Sequence, residues 1–463
     1  MRAFLLTFLA LVACGGGDGA RPLADAPPAS DGPTVDAAPQ PVTLTITRNG
    51  QPVAGVHTYF LNPDSSVVAT LDTDAAGTAS KVMPLGGSVT AIDPFPPLVV
   101  PTFARARVIG VNNNNELRTF AGVKAGDHLV LTQNDPTSFN FTLNALANAP
   151  QTNGTNRYDV LTTCGNSSLS PGSGAGGSGS PDPGGSVTIN GCATINLVIV
   201  AINQNVEGTT TTGILYHPDL AVSADATVAL TDADPYAAPT PRSFTYTNTP
   251  VASLTLSHWL VGARGKLGPF GGPVGGTVTL QEPTIGGTTS ITDTSFQFGR
   301  SEHHVVDWGA VAAAYTLDPT GLLLPGFTND PSYDQPGNRV TWTEDTGAAP
   351  DLSITAINIS RGSLERSWRW VITAPYTAGQ LAFPTLPTDV LDWNPAANDG
   401  VQVESTTSAK VPGGYDAVRA FAINLALDAP EGASTIPVGA SGRAVFVRFV
   451  PLPRIGAIRR LRQ

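Results

Sequence analysis

Glycine and proline punctuate this chain from end to end, 49 and 40 of them in 463 residues. That excludes a mainly helical fold, because both residues interrupt helix interiors. The glycines keep no three-residue period, which excludes a collagen-like rod. Hydrophobic residues make up 41% of the chain, enough to form real cores, so wholesale disorder is excluded as well. Between the turn signals lie short runs in which apolar and polar residues alternate, such as Val42-Thr-Leu-Thr-Ile-Thr47, the period of a half-buried strand. The expected class is therefore all-β: tandem antiparallel β-sandwich domains after a disordered N-terminal tether.

Residues 1–13 carry one positive charge at Arg2 and then an apolar stretch of signal-peptide length, too short to span a bilayer. It ends in Leu11-Val12-Ala13-Cys14, which resembles the lipobox of bacterial lipoproteins. The resemblance implies that Cys14 is lipidated and becomes the first mature residue. Gly15, standing where an aspartate would retain such a protein at the inner membrane, implies an outer-membrane address. Residues 14–41 read as anchor and tether: Gly15, Gly16 and Gly17 are followed by six prolines among Ala and Asp. Such a segment cannot bury enough apolar surface to offset its ordering entropy. As a flexible coil it reaches about 30 Å.

With Cys14 assigned to lipid, Cys164 and Cys192 have only each other to pair with in a compartment that permits disulfides. Between them, 15 of the 17 residues from Ser170 to Ser186 are Gly, Ser or Pro, the composition of a disordered insert. A bridge at its base would contribute about 3.5 kcal/mol in the chain-entropy model.

From Val42 onward turn signals recur every eight to twelve residues. Asn49-Gly50 is a hairpin dipeptide, Gly50-Gln-Pro-Val-Ala-Gly55 opens a strand, Thr73-Asp-Ala-Ala-Gly77 makes a turn, and Leu85 to Ile92 a late strand. In this order the motifs resemble the carboxypeptidase regulatory-like, or transthyretin-like, β-sandwich repeat, over about residues 42–92. The resemblance implies a small non-catalytic domain of regulatory and surface proteins. The expected layout is a transthyretin-like sandwich at 42–132, a second sandwich with the disulfide and the insert (170–186) at 133–235, and a β-rich region at 236–463 forming one large sandwich or two small ones.

Candidate chemistry is sparse. Ser301-Glu-His-His-Val-Val-Asp307 holds good metal ligands. On a strand, however, His303 and Asp307 would lie about 13 Å apart, and His303 and His304 would point to opposite faces. No metal site or cofactor is expected. His57, His128, His217 and His258 are isolated, Gly-x-Ser-x-Gly does not occur, and neither glycine-rich stretch ends as a phosphate loop does. Asp72 and Asp74 supply only two of the ligands a calcium loop needs.

Two biased features remain. All six tryptophans lie in the last 205 residues, and Trp368 and Trp370 stand two apart in Arg366-Ser-Trp-Arg-Trp370. On a strand they share a face about 7 Å apart, with Arg366 on the same side. This is a ligand platform if exposed and core if buried. From Arg443 the chain carries six arginines and no acid. Of these Arg454, Arg459, Arg460 and Arg462 are the candidate contacts to an anionic surface, within an otherwise acidic protein of net charge −11. Charged residues are only 13% of the chain, against about 25% in typical domains. An acidic, exported chain is not expected to bind nucleic acid. The expected function is a non-enzymatic binding or structural module, attached to the membrane through lipid and displayed toward a glycan or an envelope protein. The alternative is a surface glycan-binding or glycan-hydrolysing enzyme using the tryptophan platform. Oligomeric state is left open.

Overall fold

The computed structural model describes residues 40–48, 51–92, 116–133, 138–143, 155–169, 185–190, 193–205, 208–228, 237–249, 253–262, 265–286, 288–298, 301–322, 324–326, 328–362, 366–416 and 441–449. All of them belong to one compact unit, residues 40–463. The fold is β throughout and built from sandwiches.

The first sandwich contains β1 (Val42–Arg48), β2 (Gln51–Pro52), β3 (His57–Leu61), β4 (Val67–Asp72), β5 (Thr78–Lys81), β6 (Gly87–Ile92), β7 (Glu116–Val123) and β8 (His128–Gln133). One layer is β5-β1-β8 with β2 on β1, the pairing of β1 with β8 being parallel. The other runs β4-β3-β6-β7. The alternation in β1 places Val42, Leu44 and Ile46 inward, against Phe60, Val89, Ala91, Leu129 and Leu131. The turn before β5 is held by Asp74, which accepts from the backbone of Ala76 and Thr78 at 2.9 Å each. Gly77 in that turn has φ +72°, and a Cβ there would lie 2.5 Å from the Ile46 carbonyl. Thr73 donates to the Val53 carbonyl at 2.7 Å and accepts from the Val56 N–H at 2.9 Å. The turn motif is thereby tied to the strand-opening motif.

The second sandwich packs β9 (Ser138–Leu143), β12 (Gly185–Asn190) and β15 (Thr227–Val228) against β10 (Thr155–Thr162), β11 (Gly165–Leu169), β13 (Thr194–Asn205) and β14 (Gly208–Ala221). Phe141, Tyr158, Val187, Ile195, Leu197 and Leu215 fill its core. The continuous apolar run of β13 has a simple cause, since both of its faces are covered. Val198 and Val200 face outward from this core and pack with Leu260, Leu267 and Phe270 of the next region.

That region opens with β16 (Thr240–Tyr246), β17 (Ser253–Gly262), β18 (Gly265–Pro273), β19 (Thr277–Glu282), β20 (Thr289–Phe298), β21 (Ser301–Ala310) and β22 (Ala314–Leu317). It continues with β23 (Thr328–Asp334), β24 (Arg339–Glu344), β25 (Leu352–Arg361), β26 (Arg366–Pro375), β27 (Gln380–Ala382), β28 (Gly400–Lys410) and β29 (Gly442–Phe449). Two three-stranded sheets, β19-β16-β22 and β23-β24-β27, accompany a twelve-stranded sheet of order β18-β17-β20-β21-β29-β28-β25-β26-β7-β6-β3-β4. The large sheet therefore runs without a break from residues of the C-terminal region into the first sandwich. The junction is the parallel pairing of β26 with β7, Arg369 opposite Glu116 through Thr373 opposite Phe120.

Several contacts hold this junction. The Tyr415 hydroxyl reaches the carbonyls of Ala121 at 2.6 Å and Thr373 at 3.2 Å, one on each strand. Gly122 has φ +67°, and a Cβ there would lie 2.5 Å from Pro375 Cγ, so the end of β7 passes β26 only as glycine. The face of β3, β6 and β7 that turns away from the first sandwich carries Tyr59, Leu61, Ile92 and Leu117, which share a core with Trp342, Trp368, Trp370 and Phe383. This explains why all six residues of β6 are buried. The polar side chains on that face are matched too: Thr90 and Thr119 hydroxyls meet at 2.9 Å, and the Trp370 indole donates to Thr119 Oγ1 at 3.0 Å.

Replacing Trp370 by alanine is expected to destabilise the protein by about 3–5 kcal/mol, the cost of a large aromatic lost from a packed core. Leu85→Ser, at a side chain 77% exposed, should stay within about 0.5 kcal/mol. Urea unfolding followed by tryptophan fluorescence measures both.

Candidate functional site

Four strands of the large sheet bring together side chains that are far apart in sequence. His258 on β17 pairs with Thr292 on β20, Thr292 with Asp307 on β21, and Asp307 with Arg443 on β29. Directly paired residues project from the same face of a sheet, so the four form a polar row across it. The small sheet β19-β16-β22 lies over this face. It contributes Phe244, whose ring meets His258 edge-on at 5.1 Å, and Tyr315, 5.7 Å from Phe244. Between the layers is a cavity of about 300 Å³ whose wall includes Ser290, Thr292, Asp307, Trp308, Tyr315 and Arg443.

At one part of the row a forked ion pair is formed. Arg443 Nε donates to Asp307 Oδ1 at 2.6 Å and Nη2 to Oδ2 at 3.0 Å. The Tyr315 hydroxyl donates to Asp307 Oδ2. Burial first, and then the Asp307 charge, push the Tyr315 phenol far above its ordinary range, so it remains a donor. The hydrogen bond to Asp307 holds Arg443 in its charged form.

Behind the other part of the row sits a second set of buried groups. Arg242 pairs with Glu282 and donates to the Ala312 carbonyl at 2.6 Å. Glu282 is fully buried, and burial lifts its pKa to about 7 even though Arg242 pulls the other way. Burial, aided by the Arg242 charge, lowers His258 to about 3, so its imidazole is neutral at physiological pH. Its Nδ1 lies 2.9 Å from Thr292 Oγ1. Its Nε2 lies 3.4 Å from Glu282 Oε1, beyond good hydrogen-bond length. Both atoms are buried without a hydrogen-bond partner.

Glu282, His258 and Thr292 thus follow the connectivity of an acid–histidine–hydroxyl triad. Two features turn the set away from nucleophilic chemistry. An imidazole with a pKa near 3 is a poor general base at neutral pH. Thr292 also lies inside a strand paired on both sides, so its backbone groups are committed to ladder hydrogen bonds rather than to a developing oxyanion. What the row offers instead is a fixed set of hydroxyl, carboxylate and guanidinium groups beside aromatic walls, the make-up of a small-ligand pocket.

The tryptophan platform expected at Trp368 and Trp370 is corrected: both are core, 2% and 0% exposed. Their strand lies inside the large sheet, flanked by β25 and β7, and their shared face packs into the core described above. The Trp368 indole donates to the Trp393 carbonyl at 3.1 Å, and Arg361 lies 5.1 Å from its ring centre. Arg366 opens β26 opposite Arg361. Cys164 follows β10 and is buried, whereas Cys14, Cys192, Arg454, Arg459, Arg460 and Arg462 lie outside the described residues. The expected insert also lies outside them up to residue 184, its last two residues beginning β12. Among the described residues no group of three or more His, Cys, Asp or Glu side chains is placed to hold a metal ion, and no helix is long and apolar enough to cross a membrane.

His303 and His304 point to opposite faces of β21, as strand geometry requires. His303 lies 3.0 Å from the Pro325 carbonyl through Nε2. His304 stacks on Phe446 at 4.6 Å, with Nδ1 3.1 Å from both oxygens of Asp293 and Nε2 3.2 Å from Glu302. Burial opposes its charge, but Asp293 and Glu302 outweigh burial and raise its pKa to about 9.

No protein-family model matches the chain, and no curated protein matches it. Among solved structures it is similar to the Bacillus anthracis TIE protein at 10% identity, over 56% of this chain and 45% of that one, with a TM-score of 0.15. The chain thus spans less than half the length of that protein. It is similar to a Streptococcal ancillary pilin at 10% identity, over 60% of this chain and 98% of that one, with a TM-score of 0.15. E. coli alpha-2-macroglobulin is matched at 12% identity, over 87% of this chain and 27% of that one, with a TM-score of 0.11. Likenesses this faint carry no argument about function.

The raised pKa of His304 has a pH signature. Its folded value of about 9 lies above an unfolded value of about 6.5, so its contribution to stability is complete below pH ~6.5 and is lost as pH rises through ~9. His304→Gln is expected to flatten the fall in unfolding free energy across that window, by up to about 3 kcal/mol. Urea titrations at a series of pH values measure it.

Proposed function

We propose that this chain is an exported protein, anchored in the cell envelope through lipid on Cys14, whose all-β body acts as a non-enzymatic binding or structural module. Residues 15–41 serve as the stalk, and the outer membrane is the proposed address. The observation that carries the reading is the order of features along the chain. A lipobox-like Leu11-Val12-Ala13-Cys14 leads through a Gly- and Pro-rich stretch directly into a single β body. The reach of the stalk, about 30 Å, sets that body off the bilayer. The polar row at His258 supports binding rather than turnover, for the reasons of basicity and ladder commitment given above. Arg454, Arg459, Arg460 and Arg462 are proposed to contact anionic headgroups or an acidic partner.

The pairing of Cys164 with Cys192 belongs to the same proposal. The Thr163 N–H donates to the Asn196 carbonyl at 3.2 Å, and the Asn196 N–H donates to Thr163 Oγ1 at 3.1 Å. The end of β10 and the start of β13 are thus neighbours, which supports the proposed pairing.

Two measurements test these assignments. Radiolabelled palmitate is expected to enter the wild-type protein and not Cys14→Ser; equal labelling of both, or none of either, overturns the anchor. Peptide mapping without reductant should recover Cys164 joined to Cys192, and Cys164→Ser should lower stability by about 3.5 kcal/mol.

A further inference from the structure

We propose that the cavity between the polar row and the β19-β16-β22 sheet is a binding site for one neutral pyranose ring. This assignment rests on the binding-module reading and names its ligand class.

Four observations converge on it. The first is size: about 300 Å³ is at the small end of ligand pockets, which run from about 300 to 1,000 Å³, and suits one ring rather than a chain. The second is charge. Among the described residues of the wall the only acid and the only permanent cation are Asp307 and Arg443, and they neutralise each other through two hydrogen bonds of 2.6 and 3.0 Å. An anion would meet Asp307 and a cation would meet Arg443, so neither sign is favoured and an uncharged ligand fits best.

The third is hydrogen-bonding character. Ser290 and Thr292 bring hydroxyls to the wall and Tyr315 a phenol. Such groups donate and accept alike, as the hydroxyls of a sugar do. They are held in place beforehand: Thr292 by His258 at 2.9 Å, and Tyr315 by its bond to Asp307. Such preorganisation lowers the ordering cost of binding. The fourth is the apolar surface. Phe244 and Tyr315 supply rings against which the C–H face of a pyranose can pack. Ala312 in the connection after β21 and Ala314 at the start of β22, both exposed, leave the mouth open.

The test uses the full chain, lipid included, in a detergent without a sugar headgroup. Saturation-transfer NMR is run with the methyl glycosides of glucose, galactose, mannose and N-acetylglucosamine, and with glucuronate and glucosamine as charged counterparts. At least one neutral glycoside is expected to bind with Kd on the order of 1 mM and more tightly than either charged sugar. Ala312→Trp, which adds an indole at an exposed position of the lining, should weaken binding about tenfold or more with Tm unchanged. Ser290→Ala should weaken it to a smaller extent. No binding by any neutral glycoside, binding undiminished in Ala312→Trp, or preference for a charged sugar would overturn the assignment. Palmitate incorporation is scored in the same preparations. A labelled protein that ignores sugars removes the pyranose assignment alone, while an unlabelled one removes the anchor and leaves the cavity result standing.

Discussion

The parallel contact between β7 and β26 is the constraint on which the body depends. A β-sandwich ordinarily leaves the outer face of each sheet to solvent, and polar residues occupy it. In the first sandwich the outer face of β3, β6 and β7 instead carries Tyr59, Leu61, Ile92 and Leu117, all within a second core. The strand that extends this sheet sets Trp370 beside Leu117 on the same face, Trp342 and Phe383 from outside the sheet pack in the same core, and the Trp370 indole donates to Thr119. Tyr59 adds a further tie through its hydroxyl, which donates to Asp389 at 2.8 Å. The partners of this face thus come from far downstream, 251 positions from Thr119 to Trp370 and 330 from Tyr59 to Asp389.

The low charge content is used economically. Charged side chains inside the layers occur as mutually neutralising pairs: Arg443 with Asp307, Arg242 with Glu282, and Arg361 with Asp399 at 2.9 and 2.8 Å. Removing one partner from such a pair leaves an uncompensated charge, which costs more than the pair contributes. Where the partner is weak, the group gives up its charge: His258 is neutral because burial dominates its surroundings. His304, part-buried and facing two carboxylates, keeps its proton instead.

Local patterns made the strands legible. The alternation of β1, the Asp74 turn with its glycine, and the opposed directions of His303 and His304 all follow from short-range rules, and the structure realises each. Long-range register was not legible. His258, Thr292, Asp307 and Arg443 form a row only because three pairings align them, and their separations in sequence carry no trace of it. The paired tryptophans show the same limit, since spacing placed them on one face but only the neighbours of β26 decide whether that face is wet.

The β7–β26 junction also sets an order of events in the life of the chain. The first sandwich emerges during synthesis long before β26 exists, and its own core can form early from Val42, Phe60 and Leu129. Its other face must wait with Tyr59, Leu61, Ile92 and Leu117 uncovered until the last quarter of the chain arrives. Contacts so distant in sequence slow folding and leave apolar surface open to association in the interval. A chain truncated before Trp370 would leave that face uncovered and open to association.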